Sequence, residues 1–167
     1  SREDLSTRRG HAGPMLNTPE GQGIGRHVFD YALVPHAGTW QAEDALTLRQ
    51  AQEFEELMRA VVTEQHDGPL GDVWSFVHVA PASLVMSAIK RAERGDGLVV
   101  RVYNPLPETT RAEVILARPF ADVSLVNLNE EPVAEGDASK LARILSTGVH
   151  VDIRGGQIVT LLFHMSA

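Results

Sequence analysis

Along Ser83–Asn104 (SLVMSAIKRAERGDGLVVRVYN) apolar and polar positions alternate in two runs separated by a polar turn. Leu84, Met86 and Ala88 alternate with Ser83, Val85 and Ser87, and Leu98, Val100 and Val102 alternate with Val99, Arg101 and Tyr103. A period of two sends neighbouring side chains to opposite faces of a sheet, so the stretch predicts two strands. Glu93-Arg94-Gly95-Asp96-Gly97 lies between them and supplies the charge and the glycines that a hairpin loop needs. Pro105 and Pro107 stop the second strand, because proline has no amide hydrogen to give to a ladder.

The same reading extends along the chain. Ser1–Arg26 is rich in Gly, Pro, Ser, Thr and Arg without a period and reads as an extended loop. His27–His36 predicts a strand, with Phe29, Tyr31 and Leu33 on the buried face and Val28, Asp30, Ala32 and Val34 on the other. Within Trp40–Val62, Leu48, Ala51, Phe54, Met58 and Val61 recur at spacings of three and four. They predict one helix near 43–58 with a single apolar stripe, its end falling between Gln52 and Val62. Val73–Val79, Thr110–Leu116 and Val123–Leu128 alternate as strands, whereas Ser139–Ser146 fits helix and strand equally. Gly148–Ile153 and Gln157–Phe163 predict a second hairpin around Arg154-Gly155-Gly156. Eight or nine short strands with frequent turn signals and one helix predict a mainly β fold, an antiparallel sandwich or barrel.

Composition narrows the classes. A chain of 167 residues, 43 % hydrophobic and 22 % charged, suits one substantial soluble domain or two small ones. A net charge of −7 argues against nucleic acid and anionic membrane as partners. With no cysteine there is no disulfide, thiolate metal site or cysteine nucleophile, which fits a reducing, cytoplasmic compartment. No apolar run approaches the roughly 20 residues of a membrane span. The first residues lack a signal peptide's apolar core, and the missing initiator methionine reads as the cut end of a longer protein.

Candidate chemistry is sparse. The seven histidines, His11, His27, His36, His66, His78, His150 and His164, never pair at HxH or HxxxH spacing, so no metal site is expected. His36, after Pro35 at a strand end, reads first as a turn residue, and His78 and His150 as ordinary strand positions. The adjacent carboxylates Glu55-Glu56 and Glu130-Glu131 point apart on any regular backbone and read as solvated surface. No GxSxG serine motif is present, and Gly21-Gln22-Gly23-Ile24-Gly25 lacks the strand, helix and lysine of a phosphate loop. Arg8-Arg9-Gly10 is the most functional-looking feature. Two guanidiniums on a glycine-flanked loop can donate forked hydrogen bonds to sugar hydroxyls or a carboxylate, against the plainer reading of a solvated basic loop.

Taken in order, LSTRRGHAGP, HVFDYALVPHAGTW, SAIKRAERGDGLVVRVYN and GQIVTLLF resemble the C-terminal part of glycoside hydrolase family 38, the α-mannosidases of bacterial type. The blocks Tyr31–Gly38 and Lys90–Asn104 carry the likeness most specifically, and Phe54-Glu55-Glu56-Leu57-Met58 departs from it by lacking a proline that would end the helix. The resemblance implies that residues 1–72 are the tail of a large, galactose-mutarotase-like β-sandwich, with the loop 1–26 and the helix. Residues 73–167 would be a small C-terminal β-sandwich. It implies a parent that is a zinc-dependent retaining glycosidase acting on α-mannosides. The zinc ion and the nucleophile would sit in a catalytic barrel outside this chain, so the chain has no catalytic residue and no metal ligand of its own. Its partners would be the parent's own barrel and helical domain and a mannose-containing oligosaccharide, with homo-oligomerisation a further possibility. Arg8 and Arg9 fall where a loop of the large sandwich approaches the sugar. The alternatives are a free-standing carbohydrate-binding sandwich, for which Trp40 is the one candidate platform residue, and a structural interaction sandwich, which would expose an apolar surface.

Overall fold

A computed structural model describes Asn17 and residues 19–56, 58–65, 67–133 and 141–166. The chain divides into two units, one ending at Leu33 and one running from Val34 onward. The first contains a short 3₁₀ turn, Pro19–Gln22, followed by extended chain in which the His27 Nε2 lies 2.6 Å from the Gly23 carbonyl oxygen. His27 also stacks on Phe29.

Among the described residues the second unit holds one helix and eight strands: α1 (Ala42–Glu55), β1 (Val77–Ala80), β2 (Val85–Arg91), β3 (Gly97–Tyr103), β4 (Thr110–Leu116), β5 (Phe120–Val126), β6 (Leu141–Ile144), β7 (Gly148–Ile153) and β8 (Ile158–Met165). They form two four-stranded sheets, β1-β4-β7-β6 and β2-β3-β8-β5, in which every pairing is antiparallel. The fold is mainly β with one α-helix, as the spacing of apolar residues predicts. Each sheet offers one β-branched face to the other. Val114 opposite Val149 and Ala112 opposite Val151 face Val100 opposite Leu161 and Val102 opposite Val159 in a single core. Phe163 is fully buried at its centre, with the Phe120 ring edge-on at 5.0 Å. Along β4 burial alternates residue by residue, Ala112, Val114 and Leu116 inward and Arg111, Glu113 and Ile115 outward, so the period of two carries directly into packing.

The hairpin at Ser83–Asn104 forms as β2 and β3, with a bulge between Met86 and Ala88. Elsewhere the structure corrects the sequence. His27–His36 is not a strand: Phe29, Tyr31 and Leu33, expected on a buried face, are 83 %, 84 % and 86 % exposed. Alternation marks a segment able to pair, but a strand also needs a neighbour for its amides, and none pairs with this segment among the described residues. The helix ends at Glu55, where Glu56 turns extended after bonding to the Gln52 carbonyl. Most of the predicted stripe is not buried: Leu48 is half-buried, Phe54 is 46 % exposed and Met58, beyond the helix, 99 % exposed, while off the stripe Ala45 is buried and Gln52 half-buried. Without a core to receive that stripe, nothing carries the helix into the β-branched Val61-Val62-Thr63. Glu43, Asp44 and Ala45 take left-handed backbone angles, so the regular right-handed turns lie in residues 46–55. β1 starts at Val77 rather than Val73, β5 spans Phe120–Val126 rather than 123–128, and the ambiguous 139–146 segment contains strand β6, its first two residues lying outside the described ones.

The largest correction concerns the second hairpin. β7 and β8 are consecutive but belong to opposite sheets. Asn104, fully buried at the end of β3, redirects the chain between them. Its amide nitrogen Nδ2 donates to the carbonyl oxygens of Glu108 (2.6 Å) and Ile153 (3.1 Å), and its Oδ1 accepts from the Leu106 amide. Its backbone exchanges bonds with Gly156 and Gln157, which aligns the outgoing chain with β3 instead of β7. Gly155 permits the crossing, because a Cβ there would lie 2.0 Å from the Pro107 carbonyl oxygen, and Gly156 takes φ +69°.

Candidate functional site

The two sheets differ on their outward faces. On β4 and β7 the polar residues pair directly across the ladder. Arg111 donates two hydrogen bonds to Asp152, at 2.7 and 2.9 Å, and the His150 ring nitrogen lies 3.1 Å from a Glu113 carboxylate oxygen. The guanidinium holds the Asp152 carboxyl below its ordinary value, and the carboxylate in turn raises Arg111. These are solvated cross-strand pairs, and they leave no acid and base facing each other across an open site.

The outward face of β2-β3-β8-β5 is covered from two sides. Helix α1 meets it at Tyr103 on β3, whose hydroxyl accepts from Gln52 Nε2 over 3.2 Å. Beside it runs an open groove of about 700 Å³, walled by Gln52, Glu53 and Glu55 on the helix and by Val85, Met86 and Ile89 on β2. Carboxylates, an amide and a phenol over an apolar floor can hold a ligand by hydrogen bonds and contact.

From the other side, the loop after β5 folds over the sheet. Asn127 Oδ1 accepts from the amides of Asn129 (2.8 Å) and Glu131 (3.0 Å), and Asn127 Nδ2 donates to the Glu131 carboxylate, a turn in which Glu130 takes φ +64°. The Glu130 carboxylate, its side chain only 9 % exposed, meets the Lys90 ammonium at 2.9 Å and accepts from the Glu93 amide at 2.7 Å. Lys90 also pairs with the Glu93 carboxylate, and Arg101 donates to the Leu128 carbonyl and to Thr160 Oγ1. The bond from Lys90, then that from the Glu93 amide, draws the Glu130 pKa down, and Lys90 is raised by Glu93 and Glu130. Glu130 and Glu131 do point apart, but Glu130 is a structural anchor and not solvated surface. Its signal was the turn-forming Asn127-Leu128-Asn129 ahead of it. The bonds to Lys90 and Glu93, about forty positions earlier, have no local signature.

Of the residues singled out in the sequence, Arg8, Arg9, His11 and His66 lie outside the described residues. His36 is exposed beyond the extended segment, and His78 and His150 sit on β1 and β7 as expected. Trp40 is 42 % exposed beside the start of α1. Among the described residues no three histidine or carboxylate side chains come together in a way that would hold a metal ion, so they do not fit the zinc site of the implied family. No described helix is long and apolar enough to cross a membrane.

Comparison with known proteins places this architecture. Residues 83–161 match the model of the glycosyl hydrolases family 38 C-terminal beta sandwich domain. The chain is 25 % identical over 149 residues to a putative mannosylglycerate hydrolase of Halalkalibacterium halodurans, covering 89 % of this chain and 15 % of that protein. It is 28 % identical over 120 residues to alpha-mannosidase 2C1 of Mus musculus and 30 % over 115 residues to that of Homo sapiens. Those alignments cover 70 % and 67 % of this chain and 11 % of each mannosidase, so the chain spans a small fraction of the length of the relatives it matches. No solved structure gives a significant match. The two-sheet body built on the Ser83–Asn104 hairpin therefore coincides with the segment that matches the C-terminal β-sandwich domain of glycosyl hydrolase family 38.

Proposed function

We propose that this chain is the non-catalytic C-terminal part of a zinc-dependent retaining α-mannosidase, and that it supports a catalytic barrel and helical domain carried elsewhere in the parent. The reading rests on the family match of residues 83–161 to a domain of mannoside hydrolases. The observation that carries it is the segment before α1: Phe29, Tyr31 and Leu33 alternate as in a sheet yet stand more than four-fifths exposed. Apolar surface of that kind marks an interface. In this reading residues 1–72 complete a larger sandwich of the parent, residues 73–167 form the small terminal sandwich, and zinc, nucleophile and general acid lie outside the chain. Arg8 and Arg9 are assigned to the sugar-facing loop of the assembled enzyme, with a mannose-containing oligosaccharide as ligand and a cytoplasmic location. The parent could further assemble as a homo-oligomer through the same sandwich region.

The test is made on both forms of the protein. The isolated chain should not hydrolyse an aryl α-mannoside, and turnover by it would refute the assignment. In the parent polypeptide, replacing Phe29 and Tyr31 together by Asp should sharply lower the yield of soluble active enzyme, while the same change leaves the unfolding of the isolated chain unaltered. Equal activity of the substituted parent would remove the interface. A saturable tryptophan-fluorescence response of the isolated chain to mannose, abolished by Trp40→Ala, would instead favour a free-standing sugar-binding module.

A further inference from the structure

The loop after β5 does more than close a turn. β5 and β2 are the opposite edges of their sheet, separated by three strand spacings, roughly 14 Å. Residues 127–133 leave the β5 edge, and Glu130 is nevertheless bonded to Lys90 on β2 and to Glu93 just beyond it. The loop thus crosses β8 and β3 on the outward face, and Arg101 of β3 fastens it midway through the Leu128 carbonyl. Val99 lies on that face, opposite Lys90 on one side and Leu162 on the other. It belongs to the side turned away from the core, yet it is 0 % exposed. A valine on an outward face is that deeply buried only if something lies over it, and the crossing loop is anchored at Arg101, two positions along the same strand, and at Lys90, its partner on β2.

The bonds that hold the loop are few and concentrated. Glu130 makes the far anchor, and Arg101 the middle one. The loop's own shape is set internally, by Asn127 with Asn129 and Glu131, and its near end by Val126 bridging to Pro132 and the Val133 amide bonding to Leu125. The core residues Val100, Val102, Leu161 and Phe163 face the other sheet and contribute nothing to it. Lifting the loop therefore removes no core burial and breaks none of the pairing between β3 and β8.

We propose that residues 127–133 form a clasp shut by Glu130, whose release uncovers Val99 and Leu162 and leaves Lys90 bonded to Glu93 and Arg101 to Thr160 while the sandwich stays folded. The charged groups around the anchor are Lys90, Glu93 and Arg101, with Glu131 turned back onto Asn127. Removing the carboxylate charge leaves the Lys90 ammonium facing an amide, which weakens the far anchor and keeps the side chain's size.

Amide exchange and methyl accessibility by NMR on the full 167-residue chain test this. In Glu130→Gln the amides of Glu93, Asn129 and Glu131 should exchange roughly tenfold faster or more, because a charge-assisted anchor is lost. The amides of Val100, Val102 and Leu161 should keep their protection. A soluble paramagnetic probe should broaden the methyls of Val99 and Leu162 but not those of Val100. Lys90→Gln should give the same local pattern. Unchanged exchange at Glu93, acceleration of every amide together, or a Glu130→Gln chain that does not fold would each overturn the proposal.

Discussion

Two stretches of this chain carry nearly the same pattern and meet opposite fates. Val28–Val34 (VFDYALV) and Leu98–Asn104 (LVVRVYN) both alternate, both are rich in β-branched and aromatic residues, and both run into a proline. The second is a central strand, hydrogen-bonded on both edges, with Val99, Val100 and Val102 completely buried. The first is paired with nothing among the described residues and exposes its aromatic side chains. The difference lies outside either stretch. β3 has β2 and β8 to receive its amides and carbonyls, and a second sheet to cover its inner face. Alternation states what a segment can do with a partner, and the partner decides whether it does so.

That contrast can be broken most forcefully by truncating one phenylalanine in the exposed stretch and one on β8, the strand beside the buried stretch. Phe163→Ala should cost about 3–5 kcal/mol, the usual range for deleting a fully buried aromatic side chain, read from urea denaturation. Phe29→Ala in the same isolated chain should stay within about 0.5 kcal/mol of the unmodified protein. If the two substitutions cost the same, the exposed segment is packed and the comparison collapses.

Next in size is Asn104→Ala, expected to cost about 2–4 kcal/mol, because it orphans buried backbone groups at Leu106, Glu108 and Ile153. Thermal unfolding would measure it. A cost below that of an exposed substitution would mean that the crossing between β7 and β8 is held by something else. The glycines sharpen the same point. Gly155→Ala must push against the Pro107 backbone and should destabilise by about 1–3 kcal/mol. Gly68→Ala, with open space around its Cβ position, should be neutral or should stabilise by about 0.4–1 kcal/mol through the unfolded chain.

The smallest effect belongs to the solvated pair Arg111–Asp152, on the face of β4 and β7 away from the core. Asp152 is held below its ordinary pKa in the folded state. Its contribution is therefore present above the unfolded carboxylate's pKa and is lost as the pH falls through the lowered one. In Arg111→Ala the Asp152 titration, followed by carboxyl NMR, should move up toward the ordinary carboxylate range, with little change in neutral-pH stability. An unmoved midpoint would mean that the guanidinium is not the cause.

Much of the sandwich was legible in advance because its signals are local. Thr110–Leu116 and Gly148–Ile153 coincide with β4 and β7 to the residue, since alternation and flanking turn residues mark both ends. The hairpin of β2 and β3 was legible for the same reason. The helix was located, but its buried side was misread, because a stripe of apolar spacing does not say what lies against it. Of the candidate functional features, the pair Glu130-Glu131 stood out and its role did not. A carboxylate that anchors a loop across a sheet looks, in sequence, like any solvated turn.

The residues alone determined the local matters: which stretches can extend, where prolines and glycines turn the chain, and that the body is mainly β with one helix. The block at Lys90–Asn104, inside the segment that matches the family model, also stood in the sequence without help from coordinates. Only the tertiary structure decided which strands share a sheet, that β7 and β8 part company at Asn104, and that Glu130 reaches Lys90. Those facts depend on hydrogen bonds and contacts between residues tens of positions apart, and local propensity carries no record of them.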